Sequence, residues 1–595
     1  MRFLALACDY DGTLATDGRI TPSTLDALSR LRQSGRNVIL VTGRELDDLL
    51  RVCPEAGRFD WIVAENGAVL YCPSTRAEEL LGALPPAAFL DELRRRGVRP
   101  LSVGRAIVST TLPNDVEVLR AIRDLGLELQ VIFNRDAVMV LPAGVNKATG
   151  LVRALQRLAL SPHNVVGVGD AENDHAFLRL CECAVAVANA LPTLQAESDW
   201  VTAAPAGAGV EELIDRLIRD DLASLADRLT RHHILLGCDD AGRPIHLPPC
   251  GIKILLAGSS GAGKSTLTTG WLERLAQQGY QFCVIDPEGD YQELAEAVTL
   301  GTAARPPELS ELLQLMKDAS KNVVVSLIGV PLADRPAFFQ QLLPALQQLR
   351  ARTGRPHWLV IDEAHHVLPG SRPPSSLPLP DTLTSVMAVT VLPDQVAASF
   401  LAKIDAVLAV GDSPSATFAS FARATRRDPP AHVLTVPSGD AWLWRAGEAP
   451  IRVHSAPSYT ERHRHRRKYA EGDVGPERSF YFRGPTGQLT LRAQNLMLFA
   501  QLAQGVDDET WLHHLRRHDY SAWFRNVIKN PTLADATHAV ESQPKITAAD
   551  SRRRILELID REYTLPDASM LTAPDASAPR NGSAAMRQQS PERSS

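Results

Sequence analysis

Short apolar runs, rich in β-branched residues, each end in a polar loop and lead into a helical pattern. Phe3–Cys8, Asn37–Val41, Trp61–Ala64 and Val165–Val168 repeat this arrangement over the first 220 residues. Ile252–Ala257, Phe282–Ile285, Val323–Leu327, Trp358–Ile361, Met387–Val391 and Val407–Val410 repeat it in a second stretch. Strands that alternate with helices assemble into mostly parallel sheets, so both stretches are expected to be α/β. At roughly 100–200 residues per domain, a chain of 595 residues holds three or four domains. The expected boundaries are 1–220, 221–455, 456–565 and a Ser/Ala/Pro-rich tail over 566–595 that is too poor in apolar side chains to fold.

The hydrophobic fraction of 45% excludes fibrous and largely disordered classes, and a net charge of -6 argues against a generic polyanion binder. No run approaches the ~18–20 apolar residues of a membrane span. The opening MRFLALACDYDG meets acidic residues too early for a signal peptide and reads as a buried first strand. The eight cysteines contain no CxxC pair, which fits reduced thiols in a cytoplasmic protein. Of the 63 basic residues only nine are lysine. Each lysine is therefore informative.

Asp9-Tyr10-Asp11-Gly12-Thr13-Leu14 follows the first strand. Two carboxylates two residues apart at a strand end can share one centre. One attacks phosphorus while the other handles the proton of the leaving group. Asn37–Val41 ends in Thr42-Gly43-Arg44, which supplies a hydroxyl donor. Lys147 opens a helix and supplies a cation. Val165–Val168 ends in Gly169-Asp170-Ala171-Glu172-Asn173-Asp174, whose carboxylates offer the oxygen ligands that magnesium prefers. Three of these four motifs follow strands at their carboxyl ends, where open α/β sheets bind ligands.

With these motifs, residues 1–220 resemble the haloacid dehalogenase superfamily, in its sugar-phosphate and phosphoglycolate phosphatase branch. The resemblance implies a Rossmann-like core with an inserted α+β cap at about 75–145. It makes Asp9 the nucleophile that forms an aspartyl-phosphate and Asp11 the general acid/base. Thr42 and Lys147 would bind the phosphoryl group. Asp9, the Asp11 carbonyl and Asp170 would ligate Mg2+, supported by Asp174. Glu65-Asn66-Gly67 also matches this branch, either as a polar turn or as a contact to substrate. The implied substrate is a small phosphorylated metabolite such as a sugar phosphate or a phosphoglycolate-like compound.

Gly258-Ser-Ser-Gly261-Ala-Gly263-Lys264-Ser265-Thr266 follows Ile252–Ala257 and opens a helix, satisfying G-x-x-x-x-G-K-[ST]. Such a loop turns backbone N–H groups toward phosphates. Lys264 would reach the β/γ-phosphates of ATP, and Ser265 would coordinate magnesium. Trp358–Ile361 then ends in Asp362-Glu363, where Asp362 would hold magnesium through water and Glu363 would polarise an attacking water. Asp286-Pro287-Glu288-Gly289-Asp290-Tyr291 adds a resemblance to HerA/FtsK-like P-loop ATPases, which include hexameric translocases. That resemblance leaves an oligomer through this domain open. It departs at Thr390-Val391, where the group usually carries Gln after Thr; Gln395 is the nearest. Arg423, Arg426 and Arg427 stand where a trans-acting arginine finger would, or form a solvated basic face.

Residues 456–530 hold ten aromatics among arginines and histidines, with a net charge of about +4 from twelve Lys/Arg and eight Asp/Glu. A small helical module is the favoured reading, with single-stranded nucleic acid binding as the alternative. His463, His465, His513, His514 and His518 have no cysteines at ligand spacing, so no metal site is expected there. The whole reads as a magnesium-dependent phosphatase coupled to an ATP-hydrolysing domain. The alternative is a nucleic-acid-dependent motor carrying a phosphatase for polynucleotide ends.

Overall fold

The computed structural model describes residues 1–563 except 135, 293, 371–382, 431–439, 446, 459–478, 486–489 and 529. The expected disordered tail and the basic leader 461–469 lie outside the described residues. The chain divides into two compact units, Met1–Thr460 and Glu461–Ser595.

The first unit contains two large sheets. One has eight strands, in the order Trp200–Val201, Cys183–Ala186, Val165–Gly169, Ala5–Cys8, Asn37–Val41, Trp61–Ala64, Val69–Cys72, Ala77–Leu80. The first six run parallel and the last two fold back antiparallel. The central strands are apolar throughout because helices cover them, among them Pro22–Gln33 and Lys147–Leu158. Between Ala77–Leu80 and Lys147 the chain builds a separate four-stranded antiparallel sheet, in the order Ser102–Val103, Val108–Thr111, Ala137–Pro142, Leu129–Asn134. Helices Ala87–Arg95 and Asp115–Asp124 pack on it through Phe89, Leu93 and Val118.

The other large sheet has eleven strands. Seven are parallel, in the order Ala406–Val410, Lys253–Gly258, Val386–Thr390, Trp358–Ile361, Phe282–Asp286, Asn322–Ser326, Ala297–Leu300. Asp440–Arg445, Ile451–Ser455, Ile234–Cys238 and Pro244–Leu247 extend it antiparallel. Val386–Thr390 lies between the strand that leads to Lys264 and the strand that leads to Asp362.

A buried polar cluster joins the two halves of this unit. Glu182, beside the first sheet, pairs with Arg2 and bonds His163 Nδ1 at 2.6 Å. It also accepts from the Tyr280 hydroxyl, 2.6 Å away, in the second half. The His163 ring stacks on Tyr280 at 3.6 Å, and its Nε2 donates to the Gln278 carbonyl at 2.6 Å. Arg355 donates to the Ala159 carbonyl at 2.6 Å. Burial works against the Glu182 charge, but His163 and Arg2 outweigh it and hold the carboxyl down to about 2.

The second unit contains the hairpin Phe480–Phe482/Leu491–Ala493 and helices Leu496–Gly505, Asp508–Arg516, Asp519–Asn526, Pro531–Glu541 and Ala548–Tyr563. The expected helical module thus includes a hairpin. Phe480, Phe482, Phe499, Trp511, Tyr520 and Phe524 form its core. Rings buried in this way have no face for a nucleic acid base. All eight cysteines are free. No helix among the described residues is long and apolar enough to cross a membrane.

Glu182 tests the junction. Glu182→Gln leaves Arg2 and His163 without their carboxylate and should cost about 3–5 kcal/mol at pH 7. The wild-type carboxyl sits below its unfolded value, so its contribution is complete above about pH 4.5 and vanishes as pH falls toward 2. Urea unfolding should therefore show the deficit of the variant shrinking between those pH values.

Candidate functional site

Strands Val165–Gly169, Ala5–Cys8 and Asn37–Val41 are paired neighbours, with Cys8 opposite both Val168 and Leu40. This register delivers Asp170, Asp9 and Thr42 side by side at one sheet edge. Asp9, Asp170 and Asp174 are buried, with carboxylate oxygens within 4.8 Å of one another. Asp174 is fixed by the amides of Asp170 and Ala171, which donate to its Oδ2 at 2.9 and 3.0 Å. Asp170 accepts from the Thr13 hydroxyl at 3.1 Å. Thr42 is buried on the adjacent strand end, where its Oγ1 accepts from the Arg44 amide at 3.1 Å.

Lys147 closes the group. It is the first residue of helix Lys147–Leu158, whose start is fixed by a capping box between Asn146 and Thr149. Its Nζ donates to Asp9 Oδ1 at 2.6 Å and to Asp174 Oδ1 at 2.5 Å. Burial opposes the ammonium charge, but Asp174 and Asp9 prevail and push its pKa up. Burial and the charge of Asp174 push the Asp9 carboxyl well up, against the pull of Lys147. Three carboxyl groups thus converge around one ammonium. That set of hard oxygen donors fits a magnesium ion.

Asp11 points elsewhere. Arg44 holds its carboxylate with two bonds of 2.7 Å and also bonds Asp48 at 2.6 Å. A cavity of about 670 Å³ opens beside Asp9, Asp11 and Arg44 and is closed from the inserted sheet by Ser109, Asn134 and Met139. The inserted piece is tied down at several points. Ser102 and Ser109 each donate to Glu45 at 2.9 Å. The fully buried Glu65 accepts from the amides of Arg105, Ala106 and Ile107 at 3.0, 2.8 and 3.1 Å. Asn66 bridges to Asn173 at 2.8 Å. Gly67 has φ +102, and a Cβ there would lie 1.9 Å from the Asn146 carbonyl, so only glycine lets this turn approach the Lys147 helix. The motif Glu65-Asn66-Gly67 therefore anchors the inserted piece. The sequence reading missed the roles of Arg44, Glu45 and Glu65, although Arg44 directly follows Thr42-Gly43.

A family model described as haloacid dehalogenase-like hydrolase matches residues 6–81 and 122–214. A phosphoglycolate phosphatase of Methanothermobacter thermautotrophicus is 31% identical over 222 residues, covering 36% of this chain and 98% of that protein. The chain belongs to the haloacid dehalogenase-like hydrolases. Phosphoglycolate phosphatase 2 of Saccharolobus solfataricus is 28% identical over 235 residues, 38% of this chain and 96% of that protein. A solved haloacid dehalogenase-like hydrolase from Bacteroides thetaiotaomicron is 17% identical, with a TM-score of 0.33 over 36% of this chain and 99% of its own.

This hydrolase carries its second candidate site on the eleven-stranded sheet. Strand Lys253–Gly258 leads through Ser259–Gly263 into helix Lys264–Gln277, with Gly261 and Gly263 at φ +79 and +98. A Cβ on Gly258 would lie 2.3 Å from the Val410 carbonyl. Lys264 Nζ donates to the carbonyls of Gly258 and Ser259 at 2.9 and 3.0 Å. Burial lowers the pKa of Lys264, and the carboxylates of Glu363, Asp362, Glu288 and Asp290 act against it. Four acidic groups that follow two other strands thus act electrostatically on the lysine that opens this helix. Ser265 and Thr266 are half-buried on the first turn of the helix.

Glu363 adopts φ 39, unusual for a residue with a side chain. His365 bonds the Thr390 hydroxyl at 3.1 Å and is pushed down to about 4 by burial and by His366. Thr390, followed by Val391, therefore links strand Val386–Thr390 to the Asp362-Glu363 segment through a histidine. Arg427 donates to the carbonyls of Ile404 and Ala402 at 3.1 and 2.9 Å. Arg426 caps its helix in the left-handed conformation, and Arg423 is exposed. His463 and His465 lie outside the described residues.

Glu65→Ala strips three buried amides of their acceptor. Each unsatisfied donor costs about 1–3 kcal/mol. Hydrogen exchange at residues 105–107 should accelerate, while amides of the central strand Ala5–Cys8 should exchange as in wild type.

Proposed function

We propose that this protein is a magnesium-dependent phosphomonoester hydrolase that works through an aspartyl-phosphate on Asp9 and is joined to an ATP-binding, ATP-hydrolysing P-loop domain. The observation that carries the first half is the buried convergence of Asp9, Asp170, Asp174 and Lys147 at neighbouring strand ends. Kinship with proteins named phosphoglycolate phosphatase supports a small phosphorylated acid or sugar phosphate as substrate. The cavity suits a molecule of that size and is rich in charged side chains.

In this reading an Asp9 carboxylate oxygen attacks phosphorus and the bond to the leaving oxygen breaks. Asp11 gives that oxygen a proton. Water then attacks the phosphorus of the acyl phosphate, Asp11 takes the water proton, and phosphate departs as Asp9 is regenerated. Lys147 and the Thr42 hydroxyl hold phosphoryl oxygens. Magnesium, held by Asp9, Asp170 and the Asp11 carbonyl with Asp174 behind them, would add charge neutralisation at the phosphoryl group. Since Asp11 is gripped by Arg44, its approach to the leaving group requires Arg44 to exchange partners. An anionic group on the substrate is such a partner.

The second half rests on the loop Gly258–Thr266 and the acidic groups around Lys264. The loop amides and Lys264 would hold the ATP phosphates, with Ser265 and Asp362 toward magnesium and Glu363 toward the attacking water. The cluster of Glu182, His163 and Tyr280 supports communication between the two halves, since it follows directly on the helix that starts at Lys264.

Two measurements test this reading. Phosphate release from a panel of sugar phosphates and 2-phosphoglycolate should require magnesium and fall more than roughly 1000-fold in Asp9→Asn. Activity surviving that substitution would remove the nucleophile assignment. Lys264→Ala should abolish ATP binding by calorimetry and leave phosphatase turnover without ATP unchanged. An ATP effect on turnover in wild type that persists in Lys264→Ala would refute communication through this loop.

A further inference from the structure

In the C-terminal unit, helix Asp519–Asn526 begins at His518, and helix Pro531–Glu541 returns alongside it with His538 and Glu541 one turn apart. His518, His538 and Glu541 converge, with one potential ligand atom from each within 4.8 Å of the others. The Glu541 side chain is fully buried, whereas His518 and His538 are 42% and 56% exposed. Glu541 Oε1 accepts from the Ser521 amide at 3.2 Å. Its Oε2 faces His518 Nδ1 at 3.3 Å and His538 Nδ1 at 3.9 Å. The two imidazoles lie 4.7 Å apart, tilted by 41°.

The His518 contact is a long hydrogen bond, and the His538 spacing is not explained by one. A charge-assisted N–H···O bond is about 2.7–2.9 Å, and 3.9 Å is beyond any hydrogen bond. Ligands about 2.0–2.1 Å from a tetrahedral ion stand roughly 3.3–3.4 Å apart, which is the range that 3.3 and 3.9 Å approach. His518 holds φ 57, a left-handed conformation disfavoured for a residue with a side chain, and its ring meets Glu541.

We infer that His518, His538 and Glu541 form a zinc site, with two imidazole nitrogens and one carboxylate oxygen as ligands and a fourth position open to solvent. Two imidazoles favour zinc over magnesium. The ion fastens the start of one helix to the end of the next. It lies apart from the phosphoryl and nucleotide sites in the sequence, and no step of either reaction depends on it.

The test uses the full-length protein, stripped with a chelator and dialysed against micromolar ZnCl2 in excess magnesium. Elemental analysis should find one zinc retained by wild type and equally by Asp170→Asn, which alters the other acidic cluster. His538→Ala removes an exposed side chain and leaves the core intact. It should lose this zinc, with affinity falling by more than the roughly 100-fold typical of an outer-shell substitution. Glu541→Gln should lose it as well, and CoCl2 should give tetrahedral visible absorption bands in wild type and Asp170→Asn but in neither His538→Ala nor Glu541→Gln. Wild type that retains no zinc, or His538→Ala that retains as much as wild type, overturns the proposal.

Discussion

The ammonium of Lys147, buried between the carboxylates of Asp9 and Asp174, is the contact on which the catalytic half of the molecule depends. A charge removed from water is tolerated only when it is paired at close range. Each partner is held by different means. Asp9 ends a central strand, Asp174 is locked by two backbone amides, and Lys147 begins a capped helix that the turn at Gly67 approaches closely. Shifting any of these would strand a buried charge. The sheet register, the turn and the helix start are therefore constrained together. The carboxyl oxygens gathered by this pairing form a donor set that fits magnesium.

Two buried glutamates organise the surroundings of that centre. Glu65 takes three amides from the inserted sheet and sets where the roof of the cavity sits. Glu182 gathers Arg2, His163 and Tyr280 and joins the hydrolase core to the second sheet. Neither belongs to the group around Asp9. Both convert a desolvation cost into position, because a buried carboxylate must collect donors and those donors come from segments far apart in sequence.

Much of the candidate site was legible in the sequence because parallel α/β sheets place functional side chains directly after strands. Asp9, Thr42, Asp170 and Asp362 follow apolar runs, and Lys264 follows a glycine-rich loop and opens a helix, as its motif spacing suggests. The pairing of Asp11 with Arg44 was not legible, since it depends on a turn that brings residues 33 positions apart into bidentate contact. The same holds for His365 and Thr390, and for Glu65 and the segment 105–107. The meeting of His518 with His538 and Glu541 was not legible either, since it depends on the packing of two helices.

Local patterns by themselves determined the α/β class, the strand-end carboxylates and the two lysines that open helices, because strand, turn and helix periodicities are written over a few residues. Only the tertiary structure decided that Lys147 bridges Asp9 and Asp174, that Phe480, Phe482, Phe499, Trp511, Tyr520 and Phe524 are core, and that Glu182 links the two halves of the first unit. Those outcomes depend on which distant charges and rings burial brings together. That choice is made by the competition between desolvation and pairing across the whole fold.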